Sequence, residues 1–354
     1  MTRHVHLCTI AGIHIRLHWS FLLLPALFGW FFGLKGLFAV GFVFLCVALH
    51  ELCHSLQARQ FGMTVRNITL FPIGGVSQLH SFGHQPREEC ITSLVGPLFN
   101  FALAAVLFLP AYHWLGPEVL FQRTVMFRFS FETWQQTLAS CFWINPLLGC
   151  FNLLPAFPMD GGRILRSLLT QRLGLLTATR TAVGVGRIFM VGFVVLGILS
   201  NPWLLVIAAF LYVSGEQEAA QVEVHAALTR TRVQDILWRR VVSVPATMTL
   251  GELTAVALQA SQDDFPVMEA GQLVGWVDRR SLSAAMQGHQ AHIPVRTVMR
   301  TAVPTVSPQD QLAEVYARMT RAHLAALPVV EGTTLVGLVT IDDVQQVLRW
   351  AKQP

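Results

Sequence analysis

Charge divides this chain into long silent stretches and short charged gaps. Leu17 to Leu34 carries no ionised side chain, and Gly36 to Leu49 is equally free of charge before the run continues to about Gln60. Cys90 to Pro117 and Thr133 to Met159 are uncharged throughout. Each is near the ~20 residues that a helix needs to cross hydrocarbon. Arg187 to Gly215 is interrupted by Asn201-Pro202, where proline favours a break. We expect two spans there, the first starting near Thr181. The pattern thus predicts a polytopic helical protein of about six spans. After Gly215 acidic residues return, and a soluble-looking α+β sequence runs to Pro354.

Composition agrees. Hydrophobic residues make up 53% and charged residues 13%, about half the charge of an ordinary soluble domain. The net charge is +5, but no basic stripe with interleaved aromatics is present, which argues against nucleic acid as a partner. Arg3, Arg16, Arg59, Arg66, Arg87, Arg163, Arg166, Arg172, Arg180 and Arg187 fall on one side of a six-span topology. By the positive-inside rule that side is the cytoplasm, with both termini there. Arg123 and Arg128 lie on the other side, beside Glu118 and Glu132. The six cysteines form no CxxC pair and give no disulfide framework. No cleavable signal is expected at the N-terminus.

The soluble part repeats itself every 62 residues: Val233-Gln234-Asp235-Ile236-Leu237 aligns with Val295-Arg296-Thr297-Val298-Met299, and Leu273-Val274-Gly275 with Leu335-Val336-Gly337. Each copy predicts an extended piece, a helix, two strands and a closing helix, so that paired copies bury one another's apolar faces. The pair resembles tandem CBS domains, with repeats at about 233–288 and 295–350. The division expected is therefore 1–217 for the membrane domain, 218–230 for a linker helix and 231–354 for the CBS pair. In that family the cleft between repeats commonly takes an adenine nucleotide, held by a Ser/Thr-x-x-Asp motif. The second repeat keeps the motif at Thr340 and Asp343. The first departs from it, with Asp278-Arg279-Arg280-Ser281. A module that only holds a homo-oligomer together is the competing expectation.

Candidate chemistry concentrates in His50-Glu51-Leu52-Cys53-His54. Histidines four residues apart lie one helical turn from each other and can grip one metal ion. The intervening glutamate is placed to act on water rather than on the metal. Bare polar groups at membrane depth are costly, which favours a functional reading over two satisfied core histidines. A catalytic zinc takes three protein ligands and leaves one position open. Asp160 offers the third, in a Pro- and Gly-broken setting, although an interfacial helix cap would use the same residue. His14, His18, His80, His84 and His113 lie near predicted interfaces and are assigned to no metal.

Together, the HELCH motif, Gly96-Pro97-Leu98-Phe99-Asn100 and the NLLPAFPMDGGR run at 152–163 resemble the site-2 proteases, intramembrane zinc metallopeptidases. Residues 14–24, HIRLHWSFLLL, resemble the start of members that carry CBS domains. The resemblance implies Zn²⁺ held by His50, His54 and Asp160, with Glu51 as general base. It gives Asn152 a part in holding the scissile carbonyl, and Asn100 either packing or catalysis. The segment 65–79 is expected to be a membrane-embedded hairpin bent at Gly74-Gly75. By resemblance, the Gly-Gly strand would pair with an unwound substrate; a plain interfacial hairpin is the alternative. The implied function is regulated intramembrane proteolysis of a transmembrane or membrane-associated protein within the lipid bilayer. A CBS-regulated transporter or channel is the rival reading.

Overall fold

The computed structural model describes residues 4–351 except 64, 66, 72–73, 78–84, 239–240, 261, 288–290, 303 and 323. His80, His84 and parts of the expected 65–79 hairpin lie outside the described residues. Two compact units are present, Met1–Ala220 and Gln221–Pro354.

The first unit opens with a hairpin, β1 (His4–Ile10) and β2 (Ile13–His18). Its two-residue turn, Ala11-Gly12, has positive φ at both positions, which matches the twist of the flanking strands. A helix α1 (Leu23–Gln60) follows and breaks at Gly33, where φ 59° and ψ −142° leave helical space. Only glycine adopts that pair readily. The two expected spans are therefore two arms of one element, jointed two residues ahead of Lys35. The chain returns as β3 (Asn67–Phe71) and β4 (Gly74–Ser77). The sheet order is β1-β2-β3-β4, with β2 and β3 parallel and β4 on the edge. Ile13, Ile15, Ile68 and Leu70 line one face and pack with Leu52 and Ala58 of α1.

Five larger helices complete the unit: α2 (Pro86–Leu115), then the short α3 (Pro117–Leu120) and α4 (Arg123–Arg128), α5 (Trp134–Asn152), α6 (Asp160–Leu173), α7 (Leu175–Leu199) and α8 (Trp203–Arg230). A Thr133–Gln136 capping box starts α5. The uncharged run to Met159 does not stay helical: α5 ends at Asn152, and the prolines force an irregular turn through 153–159. Asn201-Pro202 separates two helices, and the first begins at Leu175, ahead of the expected Thr181. Residues 218–230 are simply the continuation of α8. Among the described residues, three helical stretches are long and apolar enough to cross a membrane: Trp19–Gln60, Pro86–Leu115 and Leu175–Leu199. On these helices Trp30, Leu34, Leu109, Trp114, Ile188 and Ile198 are all largely exposed.

In the second unit the first repeat reads strand, helix, hairpin, helix, and the second reads helix, hairpin, helix, with a single bridge from Val306 to Val329 where the first has its leading strand. The first comprises β5 (Val244–Pro245), α9 (Leu250–Gln259), β6 (Asp264–Glu269), β7 (Gln272–Asp278) and α10 (Arg279–Gln287). The second comprises α11 (Leu312–Ala322), β8 (Ala326–Glu331), β9 (Thr334–Thr340) and α12 (Ile341–Ala351). The repeats are cross-laced. Trp238, early in the first repeat, pairs with Leu338 of the second, and Arg300, early in the second, pairs with Trp276 of the first. Gly337 permits this approach, since a Cβ there would lie 2.3 Å from Leu237 Cδ1 and 2.5 Å from the Trp238 carbonyl. Gly337→Ala should therefore cost about 1–3 kcal/mol through overpacking against backbone, read as a lowered urea midpoint of the second unit. An unchanged midpoint would show that the lacing has slack.

Candidate metal centre

Helical spacing places His50 and His54 on one face of α1, and both are buried. Asp160 arrives from far along the chain because the 153–159 turn folds back before α6 begins. Gly161 and Gly162 make that fold possible: a Cβ on Gly161 would sit 2.3 Å from the Leu153 carbonyl, and one on Gly162 2.8 Å from Ala156 C. Asp160 opens α6, where exposed amides favour a carboxylate.

Three donor atoms converge. His50 Nε2 and His54 Nε2 lie 3.0 Å apart, and each is 3.2 Å from Asp160 Oδ2. The other ring nitrogens are committed elsewhere. His54 Nδ1 donates to the Thr92 carbonyl at 2.6 Å, and His50 Nδ1 to Asn100 Oδ1 at 2.9 Å. A carbonyl only accepts, so Nδ1 of His54 carries the proton and Nε2 presents a lone pair. Two lone pairs and a carboxylate oxygen face one another, a repulsive set that a cation relieves. Zinc bonds of ~2.0–2.1 Å in a tetrahedron space their ligand atoms about 3.3 Å apart. The donor types and their spacing therefore fit zinc, with His50, His54 and Asp160 as the residues able to hold it.

The helix α2 supplies no ligand but shapes the site. Gly96 lies directly under the histidines: a Cβ would fall 2.3 Å from His54 Nε2 and 2.7 Å from His50 Nε2. Thr92, Gly96 and Asn100 recur every four residues and so share one stripe of α2. Sequence reasoning did not single out Thr92, named Gly96 only as the start of the GPLFN motif, and gave Asn100 no definite role. The four-residue spacing across GPLFN, matching that of the histidines, was the available signal.

The remaining expected site residues are placed as follows. Glu51 follows His50 on α1 and is half-buried. Asn152 is the last residue of α5, half-buried, eight positions before Asp160. Gly74 and Gly75 lie within β4, paired with Phe71 and Leu70, rather than at the bend itself. β4 is the sheet edge, and α1 packs against it. Thr340 and Asp343 form a capping box at the start of α12: Asp343 Oδ2 accepts from Thr340 N at 2.9 Å and from its hydroxyl at 2.6 Å, while Asp343 N donates to Thr340 Oγ1 at 3.2 Å. In the first repeat Asp278 accepts from Ser281 N at 2.7 Å, so the departing sequence still caps its helix.

Comparison with known proteins gives two family matches. The model of peptidase family M50 matches residues 37–199, and that of the CBS domain matches 233–288 and 295–349. A zinc metalloprotease of Methanocaldococcus jannaschii is 32% identical over 354 residues, covering 97% of this chain and 96% of that one. The solved structure of a site-2 protease from the same organism is 31% identical, covers 61% of this chain and 95% of that chain, and has a TM-score of 0.46. The CBS domain-containing protein YhcV of Bacillus subtilis is 29% identical over 113 residues, covering 31% of this chain and 81% of that one.

Because Gly96 leaves no room for a side chain beside the donor atoms, Gly96→Ala should abolish zinc binding while the metal-free chain still folds. Elemental analysis of purified protein checks this; full zinc occupancy in the variant would refute the close approach.

Proposed function

This chain belongs to peptidase family M50 and carries a tandem CBS pair, and from that premise we propose that it is an intramembrane zinc metalloendopeptidase cutting transmembrane or membrane-associated proteins. The observation that carries the reading is the convergence of His50, His54 and Asp160 beside Glu51, on a helix long and apolar enough to span a bilayer. Held by those three side chains, zinc would supply Lewis acidity to a scissile carbonyl and acidify water.

The chain's own residues do the rest. Glu51 takes the proton of the attacking water and returns it to the leaving amine, the exchange expected of one general base and acid. Asn152 donates from its carboxamide to the scissile carbonyl, which fixes the bond against the site. A substrate helix hides its peptide bonds in its own hydrogen-bond ladder and must unwind first. The edge position of β4, beside α1, supports addition of the unwound segment as a further strand along Gly74 and Gly75. The M50 match and the donor set favour the protease over the CBS-regulated transporter or channel, which would share the spans and the CBS pair but has no need of that donor set.

Arginine distribution supports six spans with both termini and the CBS pair in the cytoplasm. The CBS pair would regulate the protease by taking an adenine nucleotide at Thr340 and Asp343, or would hold a homo-oligomer together. Asp343 keeps a helix cap in either case, so nucleotide contact would have to share its carboxylate.

Two substitutions test the proposal. Glu51→Gln, co-expressed with candidate single-span substrates, should lower cleavage at least about 100-fold, the usual contribution of general acid–base catalysis, while zinc stays bound. Full-rate processing by that variant would defeat the catalytic assignment. Asp160→Ala should lose most bound zinc in elemental analysis, and an unchanged metal content would show the ligand assignment to be wrong.

A further inference from the structure

The two histidines are locked in different ways. His54 is held by a main-chain carbonyl, that of Thr92, which no substitution at Thr92 removes. His50 is held by a side chain, through Asn100 Oδ1 at 2.9 Å. Asn100 is fully buried, two helical turns along α2 from Thr92 on the same stripe. Gly96 lies between them and lets the stripe approach the rings.

We propose that Asn100 is a positioning residue for the metal centre, fixing the ring plane and tautomer of His50 by accepting its Nδ1 proton. The inference rests on His50 being a zinc ligand, as argued above. An imidazole can coordinate through Nε2 only when that nitrogen is bare, so the proton must reside on Nδ1 and needs an acceptor there. In a buried, apolar setting water offers none readily, and an unpartnered N–H would favour the other tautomer or a rotated ring. A carboxamide meets the need without adding a second buried negative charge beside Asp160.

The test is zinc affinity of the full chain in detergent, measured by competition with a chelator, with metal-free melting recorded for every variant. Asn100→Leu, close in size but without an acceptor, should weaken zinc binding about 10–100-fold, as loss of an outer partner does. Asn100→Ala, which only removes atoms, carries the same expectation where leucine fails to fold. Asn100→Asp restores the acceptor and should bind zinc closer to wild type than either. Wild-type affinity in the leucine or alanine variant overturns the proposal. So does an affinity that falls in step with melting temperature, with aspartate no better than alanine, since that assigns Asn100 to packing. His50→Ala serves as the control. If it keeps full zinc the ligand reading itself fails, whereas its loss of zinc makes the Asn100 series a test of this proposal alone.

Discussion

Everything in the membrane unit is arranged around a repulsion. Three electron-rich atoms from two helices, His50 and Asp160 lying 110 residues apart in sequence, face one another at 3.0–3.2 Å. Apolar surroundings magnify such repulsion because little solvent screens it. A cation between them relieves that repulsion, and several local features act to hold that geometry. The 153–159 turn ends the helix early so that Asp160 can return. Gly161 and Gly162 let the returning chain lie on its own preceding turn. Gly96 gives the rings space, and α2 fixes their outward nitrogens.

A second buried arrangement braces the first. Arg166, one and a half turns beyond Asp160 on α6, is 4% exposed and pairs with Glu89 of α2 and Glu218 of α8. Its guanidinium also sits 5.0 Å from the centre of the Phe157 ring, in the turn that delivers Asp160. Buried ion pairs add little net stability once desolvation is counted, but breaking one is expensive. The triad thus acts on register: α6 cannot rotate or slide relative to α2 or α8 without stranding a charge. Since α6 carries the carboxylate and α2 the histidine partners, fixing their register fixes the donor set.

Much of this was legible from residue order. The uncharged runs located the major helices, the HExxH spacing located the histidines, and the Pro- and Gly-rich run before Asp160 announced a break in the fourth run. Two things were not legible. The position of the joint in α1 depends on one glycine, Gly33, with φ 59°, and charge placed it at Lys35 instead. The stripe Thr92–Gly96–Asn100 was hidden for another reason: one member acts through its backbone and another through the absence of a side chain. Neither role has a residue-type signature, so only spatial juxtaposition reveals it.

The CBS pair illustrates the converse difficulty, where a signature is present but has two physical causes. Thr-x-x-Asp is also a good helix N-cap, and Thr340 and Asp343 satisfy each other's amides as a capping box before any ligand is considered. Asp278 and Ser281 achieve much of the same cap with a different sequence. The motif's survival in one repeat therefore cannot be credited to nucleotide binding by default. The first repeat, without the motif, still caps its helix through Asp278. What distinguishes the two is chemistry beyond the cap: a threonine hydroxyl and a carboxylate presented together at 340 and 343, against an aspartate followed by two arginines at 278–280.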